Sequence, residues 1–463
     1  MLKSFGNRSK GIIGLALGIA ILAAIPSFAL IPRFLGGNNG GGLTLGNAIG
    51  GVRVDANGVV NMAPESILKN EADRLRKLIQ PGNSEIREKT ELRMVSLKGL
   101  EAAVKKAMKD GKPGIPEEIR FLAGLQRIEY VFLYPEQNDI VLAGPGEGWK
   151  VDDSGRIVGE TSGMPVLHLD DLVVALRTVN KAREGYGISV SIDPTEAGRK
   201  AFDAVMRKNR RFNKNLLPKL EEALGQQVIS LTGVPENSHY ARVLVAADYK
   251  MKCIGMALMP SNVNGIPSYP GLLKAKKANP NGNSMPRWWM ACNYQPLAKS
   301  ADGLTWKLRG QGVKTMTEDD VIEDGKIKGA RKANKYAQEW ADRMTEKYSE
   351  LAVKDPVFGD LRNIMDMSVV AALIEKEGML RKVGLNLPVL TQGKDYEIYH
   401  MPVPKNLPTQ ASVTNVNGQL MITASGGVQV DSWEVASKSE VDDQIASNRE
   451  QTNPDDYVTW WWN

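Results

Sequence analysis

The chain has 463 residues, 42% of them hydrophobic and 24% charged, with a formal net charge of +6. That is the make-up of an ordinary globular protein with enough apolar residues for two or three cores. The first 29 residues hold three of the cations and no acid, so without them the balance is +3 on 434 residues, too near neutrality for a general nucleic-acid footprint.

Lys3, Arg8 and Lys10 precede an apolar run, Gly11 to Ile25, followed by Pro26 and Ser27-Phe28-Ala29. A basic head, a short apolar middle and small residues before a cut describe a signal peptide removed after Ala29. A retained anchor is the alternative, because Leu30 to Phe34 lengthens the apolar segment. No cysteine follows the run, which argues against a lipid anchor. Leu35 to Leu43, LGGNNGGGL, reads as a flexible tether.

Ordered structure is expected from about Gly50, with Asn57-Gly58 turning a hairpin. Pro64 to Ile79 has helical spacing, stopped by Pro81-Gly82, and Ser96 can cap a helix over Leu97 to Met108. Pro116, Glu117 and Glu118 start another. Gln126 to Trp149 reads as the most buried stretch. Tyr130, Phe132 and Tyr134 fall on one face of a strand and Val131 and Leu133 on the other, and Ile140 to Ala143 pairs back across Pro135 to Asp139. Gly144-Pro145-Gly146 is expected to end the pairing.

Asp170 or Asp171 is expected to cap a helix through Ala182. Gly187 to Ile192 reads as a strand, and Asp193-Pro194-Thr195-Glu196 as a capping box. Further strands are expected at Gln227 to Leu231, Tyr240 to Ala247, Trp288 to Tyr294 and Leu304 to Arg309, with Pro260 to Pro286 a long loop. Tyr336, Trp340, Met344 and Tyr348 recur every four residues, and Pro356 opens a partner helix ending at Gly378, so the pair predicts an antiparallel helical hairpin. Leu387 to Trp433 is extended. Ser437 to Asp456 is polar and expected to lack fixed structure.

Candidate chemistry is sparse. The histidines are His168, His239 and His400. His168 with Asp170 and Asp171 has the residue types of a metal site, but helix capping accounts for the aspartates, and no HExxH, zinc-spaced cysteine pair or calcium loop occurs. No metal and no cofactor are therefore expected. Gly144 to Gly148 fails as a phosphate loop because Pro145 cannot donate and Glu147 repels an anion. Ser425-Gly426-Gly427 lacks the pattern of a nucleophile elbow.

His239, Tyr240, Asp248, Tyr249 and Lys250 cluster near an expected strand end. At a cleft, Asp248 and Lys250 can serve as base and electrophile with His239 nearby, whereas Asp248 as a helix cap is the plain alternative. Arg207, Lys208, Arg210, Arg211 and Lys214 form the densest basic run, either a solvated helix end or a docking site for an anionic polymer. Trp460, Trp461 and Trp462 near the C-terminus are either a binding tail or a segment packed back onto the body. Cys253 and Cys292 are the two cysteines. They form a disulfide, closing a loop worth about 3 to 4 kcal/mol in the chain-entropy model, or remain two buried thiols.

The runs LAGLQRIEYVFLYPEQNDIVLAGPGEGW (Leu122 to Trp149), MPVLHLDDLVVALR (Met164 to Arg177), VLVAADYKMK (Val243 to Lys252) and LRNIMDMSVVAALI (Leu361 to Ile374) resemble a family of exported planctomycete proteins known as a domain of unknown function. The likeness spans roughly residues 50 to 435. It implies an exported bacterial protein and supplies no catalytic residue.

The expected fold is α+β, mostly antiparallel sheet with packed helices and a helical hairpin in the C-terminal third. The expected divisions are a signal peptide (1–29), a linker (30–49), an N-terminal α/β domain (50–183), a middle α+β domain (184–328), the hairpin with a β segment (329–435), and a polar tail (436–463). The expected role is a non-catalytic structural or interaction protein of a bacterial envelope, periplasmic or at the cell surface. Its partner would be an envelope protein or polymer, and it would touch a membrane only through an uncleaved signal segment. A hydrolase of envelope polymer working through Asp248 is the alternative.

Overall fold

The computed structural model describes residues 48–49, 52–54, 60–110, 114–185, 187–209, 214–278, 284–323, 326–329, 334–393, 395–409, 412–415, 419–422, 425–452 and 454–463. The expected signal segment, the glycine tether, the Asn57-Gly58 turn, Arg210 and Arg211 lie outside the described residues.

Two seven-stranded sheets organise the α+β fold. In chain order their strands are β1 (Thr90–Ser96), β2 (Tyr130–Tyr134), β3 (Asp139–Gly146), β4 (Ile188–Pro194), β5 (Gln226–Thr232), β6 (Ser284–Asn293), β7 (Leu297–Lys299), β8 (Thr305–Lys307), β9 (Gly312–Glu323), β10 (Lys326–Gly329), β11 (Asn406–Pro408), β12 (Ser425–Val430), β13 (Ser439–Val441) and β14 (Trp461–Trp462). The first sheet has the order β13-β7-β8-β2-β3-β1-β14 and the second β10-β9-β6-β12-β4-β5-β11. Most pairs are antiparallel, while β12 runs parallel to β6 and β13 parallel to β7.

The expected β2–β3 hairpin forms with Phe132 opposite Val141, and all five residues of β2 are buried. Both faces are covered, as its unbroken apolar run requires. Val131, Leu133, Ile140 and Leu142 join the main core. Tyr130, Phe132, Tyr134 and Val141 form a second cluster, covered by Ile445 and Trp462 from the C-terminal stretch. Pairing with β2 stops at Ala143, but β3 does not end there: it continues along β1, with Arg93 opposite Gly144 and Thr90 opposite Gly146.

These sheets interleave the sequence divisions expected above. Strands β7 and β8, from the expected middle domain, extend the sheet built on β2, and β12 from the C-terminal segment lies between β6 and β4. The described residues, all from Ala48 onward, make one compact unit.

Helices α1 (Leu97–Lys109), α2 (Leu169–Glu184), α3 (His239–Gly255), α4 (Lys335–Glu346), α5 (Tyr348–Lys354) and α6 (Pro356–Lys376) matter most below. Ser96 caps α1, its Oγ accepting from Gly99 N at 2.8 Å. In the region of the expected helical hairpin, α4 and α5 lead into α6, with a break at Lys347 and Pro356 in the first turn of α6; α5 packs on α6 and α4 on β9. Helix α3 packs on β4 and β12 on one side and on α2 and α6 on the other, so every one of its residues is buried.

Three local readings are corrected. Pro194 pairs in β4, and the following helix (Glu196–Lys208) is capped by Thr195, whose Oγ1 accepts from Gly198 N at 3.0 Å. The loop expected over Pro260 to Pro286 contains a helix, Tyr269–Ala275, capped by Ser268. The stretch from Ser437 to Asp456 is structured where described: it holds β13 and a short helix, Ala446–Glu450, and the Tyr134 hydroxyl donates to Thr452 O at 2.8 Å.

Candidate functional site

Helix α3 occupies the segment where a strand, Tyr240 to Ala247, was expected. The run of Val243, Leu244, Val245, Ala246 and Ala247 is apolar on every face, so periodicity cannot distinguish a buried strand from a buried helix. Length and capping decide: Ser238 Oγ accepts from Ala241 N at 3.1 Å, and good helix formers follow to Gly255. Asp248 consequently sits mid-helix, neither a cap nor at a cleft.

A helix buried on all sides must satisfy its polar groups internally. Lys252 Nζ donates to Asp248 Oδ2 (2.8 Å), to Ile192 O on β4 (3.1 Å) and to Gly426 O on β12 (3.3 Å). All three ammonium hydrogens are thus engaged, and α3 is fastened to two adjacent strands. Lys250 Nζ donates to Asp355 Oδ1 at 2.7 Å, just before α6. The Tyr240 hydroxyl meets Ser368 Oγ of α6 at 2.6 Å, and Arg242 donates to Pro402 O at 3.0 Å. Burial pushes the Asp248 acid up to about 6 against the pull of Lys252, and burial lowers Lys250 despite Asp355. Asp248 is fully enclosed, and its Oδ1 has no hydrogen-bond partner among the described residues. The groups expected to act as base and electrophile are therefore ion-paired inside the protein.

His239 opens α3, and it lies where the start of α3 meets the start of α2. The N-cap residue of α2 is His168, whose side chain makes no cap, which corrects the expectation that Asp170 or Asp171 caps that helix. Asp170 accepts from the Tyr396 hydroxyl at 2.6 Å and from Tyr399 N at 3.2 Å. Asp171 turns inward, with Oδ2 2.8 Å from His239 Nδ1. The two imidazoles stack with centroids 4.7 Å apart and planes 4° apart, and Phe121 meets His168 edge-on at 5.5 Å. From α6, Asp360 contributes a third carboxylate, itself 3.4 Å from Arg156 Nη1.

Burial sets the protonation of this centre. Desolvation pushes His168 down to about 3, reinforced by His239 and Arg120, so it is neutral at physiological pH. Burial also acts against charged His239, but Asp171, through its charge and hydrogen bond, carries that histidine above its ordinary value. Burial drives Asp360 up to about 6 in spite of Arg156 and His239, and raises Asp170 in spite of the Tyr396 and Tyr399 hydrogen bonds.

The imidazole nitrogens of His168 and His239 and a carboxylate oxygen of Asp171 all lie within 4.8 Å of one another, a set of donor types that can hold a metal ion. The grouping of His168 with Asp170 and Asp171, set aside in the sequence in favour of helix capping, is in part brought together. Asp171 converges with His168, Asp170 belongs to the tyrosines, and His239 takes the third place. Asp360 and Arg156 were not singled out in the sequence. The legible signal for Asp171 was an acid at the start of an otherwise apolar helix; its pairing with His239, 68 residues away, carried none.

Elsewhere the structure separates the expected sites. Trp461 and Trp462 form β14 beside β1, with Trp461 opposite Val95 and Trp460 O accepting from Ser96 N at 2.9 Å. Both are buried and Trp460 is partly so, so these indoles line no open surface and pack back onto the body. Arg93, enclosed in the same place, donates from Nε to Asn463 Oδ1 at 2.5 Å and lies 5.1 Å from the Trp461 ring centre. Arg207 is exposed in the last turn of Glu196–Lys208, where a cation complements the helix dipole. Cys253 and Cys292 are separate thiols and form no disulfide. His400 is exposed.

Glu147, in the glycine-rich turn, anchors another loop by accepting from Gln126 Nε2 (2.8 Å), Ser162 N (2.8 Å), Thr161 N (3.2 Å) and the Ser162 hydroxyl. Ser425-Gly426-Gly427 is strand β12 between two neighbours. Gly426 has φ +136°, and a Cβ there would meet Trp288 O at 1.6 Å, so glycine is required for backbone approach.

A family model described as "Protein of unknown function (DUF1598)" matches residues 190–269. That stretch is a domain of unknown function running from β4 through α3, and it includes His239, Asp248, Lys250 and Lys252 but not His168 or Asp171. No curated protein matches the chain, and no solved structure does.

Proposed function

We propose that the protein is an exported, non-catalytic structural or interaction protein of a bacterial cell envelope. The observation that carries this reading is the placement of Asp248, Lys250 and Lys252. The residues best suited by type for acid–base chemistry fasten a fully buried helix to its neighbours, Asp248 to Lys252 at 2.8 Å and Lys250 to Asp355 at 2.7 Å. The hydrolase alternative needs Asp248 in contact with substrate and water, and that carboxylate is wholly enclosed.

Export rests on Lys3, Arg8 and Lys10 before the apolar run Gly11 to Ile25 and on the small residues before the expected cut. The likeness to exported planctomycete proteins of unknown function points the same way. The partner is an envelope protein or an anionic envelope polymer, met by the basic run from Arg207 to Lys214.

Incubation of the purified protein with envelope fragments tests this. The expected result is retention that weakens as salt is added and no release of soluble product. Cleavage of the polymer, or native protein beginning at Met1 in a cytosolic fraction, would overturn the proposal.

A further inference from the structure

We infer that His168, Asp171 and His239 form a buried site for one divalent transition-metal ion of the zinc type. This goes beyond the envelope reading and stands independently of it.

Two independent observations carry the inference. The first is convergence: one nitrogen from each histidine and one carboxylate oxygen lie within 4.8 Å of one another, delivered by the starts of two helices far apart in sequence. The second is an unsatisfied group inside that convergence. Asp171 is 3% exposed, and its Oδ1 has no hydrogen-bond partner among the described residues. Leaving a buried acceptor unmade is unfavourable by about 1–3 kcal/mol, so a site with such an atom ordinarily has something to fill it.

The surroundings fit a cation better than a hydrogen-bonded dyad alone. Of the four ring nitrogens, His239 Nδ1 has a hydrogen-bond partner among the described residues. His168 is held by ring contacts, Phe121 at its edge and His239 on its face. The carboxylates Asp170, Asp171 and Asp360 and the guanidinium Arg120 act on the two rings, an excess of acid over base. A dication meets that surplus, and imidazole nitrogens with a carboxylate oxygen are the donor set that zinc takes up. Metal–donor bonds of about 2.0–2.1 Å require the three side chains to draw inward.

The test uses untagged full-length protein stripped with a chelator and titrated with Co²⁺, whose visible absorption reports nitrogen and oxygen ligands, and with Zn²⁺ followed by calorimetry and thermal melting. The expected result is one equivalent of Co²⁺ with visible bands, displaced by Zn²⁺, and a rise in Tm on Zn²⁺ addition that a chelator reverses. His168→Gln and Asp171→Asn are expected to weaken Zn²⁺ binding roughly tenfold or more, and His400→Gln to leave it unchanged. If the first two variants fail to fold, wild-type protein still decides the matter. Absence of visible bands together with an unmoved Tm overturns the inference, as does binding that His168→Gln leaves intact or that His400→Gln abolishes.

Discussion

Lys252 and Asp248 give the sharpest test of how the buried helix is held. Replacing Lys252 with Met leaves a carboxylate, 0% exposed, with neither oxygen satisfied, because Oδ1 has no partner among the described residues even in the native protein. Removing one partner of a buried pair destabilises by about 3–5 kcal/mol. Asp248→Leu leaves the ammonium with two carbonyls, Ile192 O and Gly426 O, and no counter-charge, so its loss falls toward the lower end of that range. In the double variant no charge remains. The two carbonyls lose their bonds to the ammonium, about 1–3 kcal/mol each, offset by about 1–4 kcal/mol because no buried charge has to be desolvated, so the double variant lies above either single.

The pH dependence of Lys252→Met follows with a definite sign. An acid whose folded pKa is raised contributes stability that is fully present below its unfolded value and lost as pH rises through the folded one. For Asp248 that window runs from 3.8 to about 6 in wild type, equivalent to about 3 kcal/mol lost by neutral pH. Without Lys252 the window extends upward, so the variant's deficit is smallest near pH 4 and grows above pH 6. Urea unfolding followed by far-UV dichroism and tryptophan fluorescence measures both effects, provided the two transitions coincide. Additive single effects, with the double variant at their sum, would refute the ion-pair account.

Glu147→Leu removes four hydrogen bonds to a carboxylate and is expected to lower stability by about 3 kcal/mol in urea melts. Burial opposes the charged form of Glu147, but the Ser162, Gln126 and Thr161 donors hold its pKa below the usual range. Its contribution is therefore present above the ordinary carboxylate pKa and lost as pH falls through the lowered folded value, so the variant's deficit shrinks in acid. Deleting Tyr457 to Asn463 uncovers the second apolar cluster and leaves Arg93 without Asn463 and Trp461; Tm falls while envelope retention is unchanged, and a lost partner with unchanged Tm would restore the binding-tail reading. Burial pushes the Cys253 thiol up to about 11 and Cys292 up to about 12, so both alkylate slowly in native protein, and without reductant two equivalents add once the chain is unfolded.

Local patterns legible in the sequence became the elements they predicted. Alternation along Tyr130 to Tyr134 placed two apolar faces correctly, because a strand with both sides covered leaves no polar period. The spacing of Tyr336, Trp340 and Met344 marked helix α4 by its four-residue period, an equally local signal. What failed depended on partners distant in sequence. Helix α3 looked like a strand because it is enclosed on every side, and its charged residues looked reactive because Asp355, Ile192 and Gly426, their partners, come from other elements. The tryptophan tail left two readings open, a binding tail or a segment packed on the body, because nothing local shows that β1 offers it an edge and the second cluster a face to cover. His168 and His239, 71 positions apart, meet where two helix starts come together, and spacing cannot show that.

Hydrogen exchange across His239 to Gly255 tests most directly whether α3 is the enclosed, ion-paired spine of the protein. Its amides should be among the slowest in the molecule, opening only with global unfolding, and Lys252→Met should speed them by the same free energy that it removes from global stability. Exchange over 239–255 as fast as at the exposed Glu196–Lys208 helix would contradict the account and return Asp248 and Lys250 to solvent.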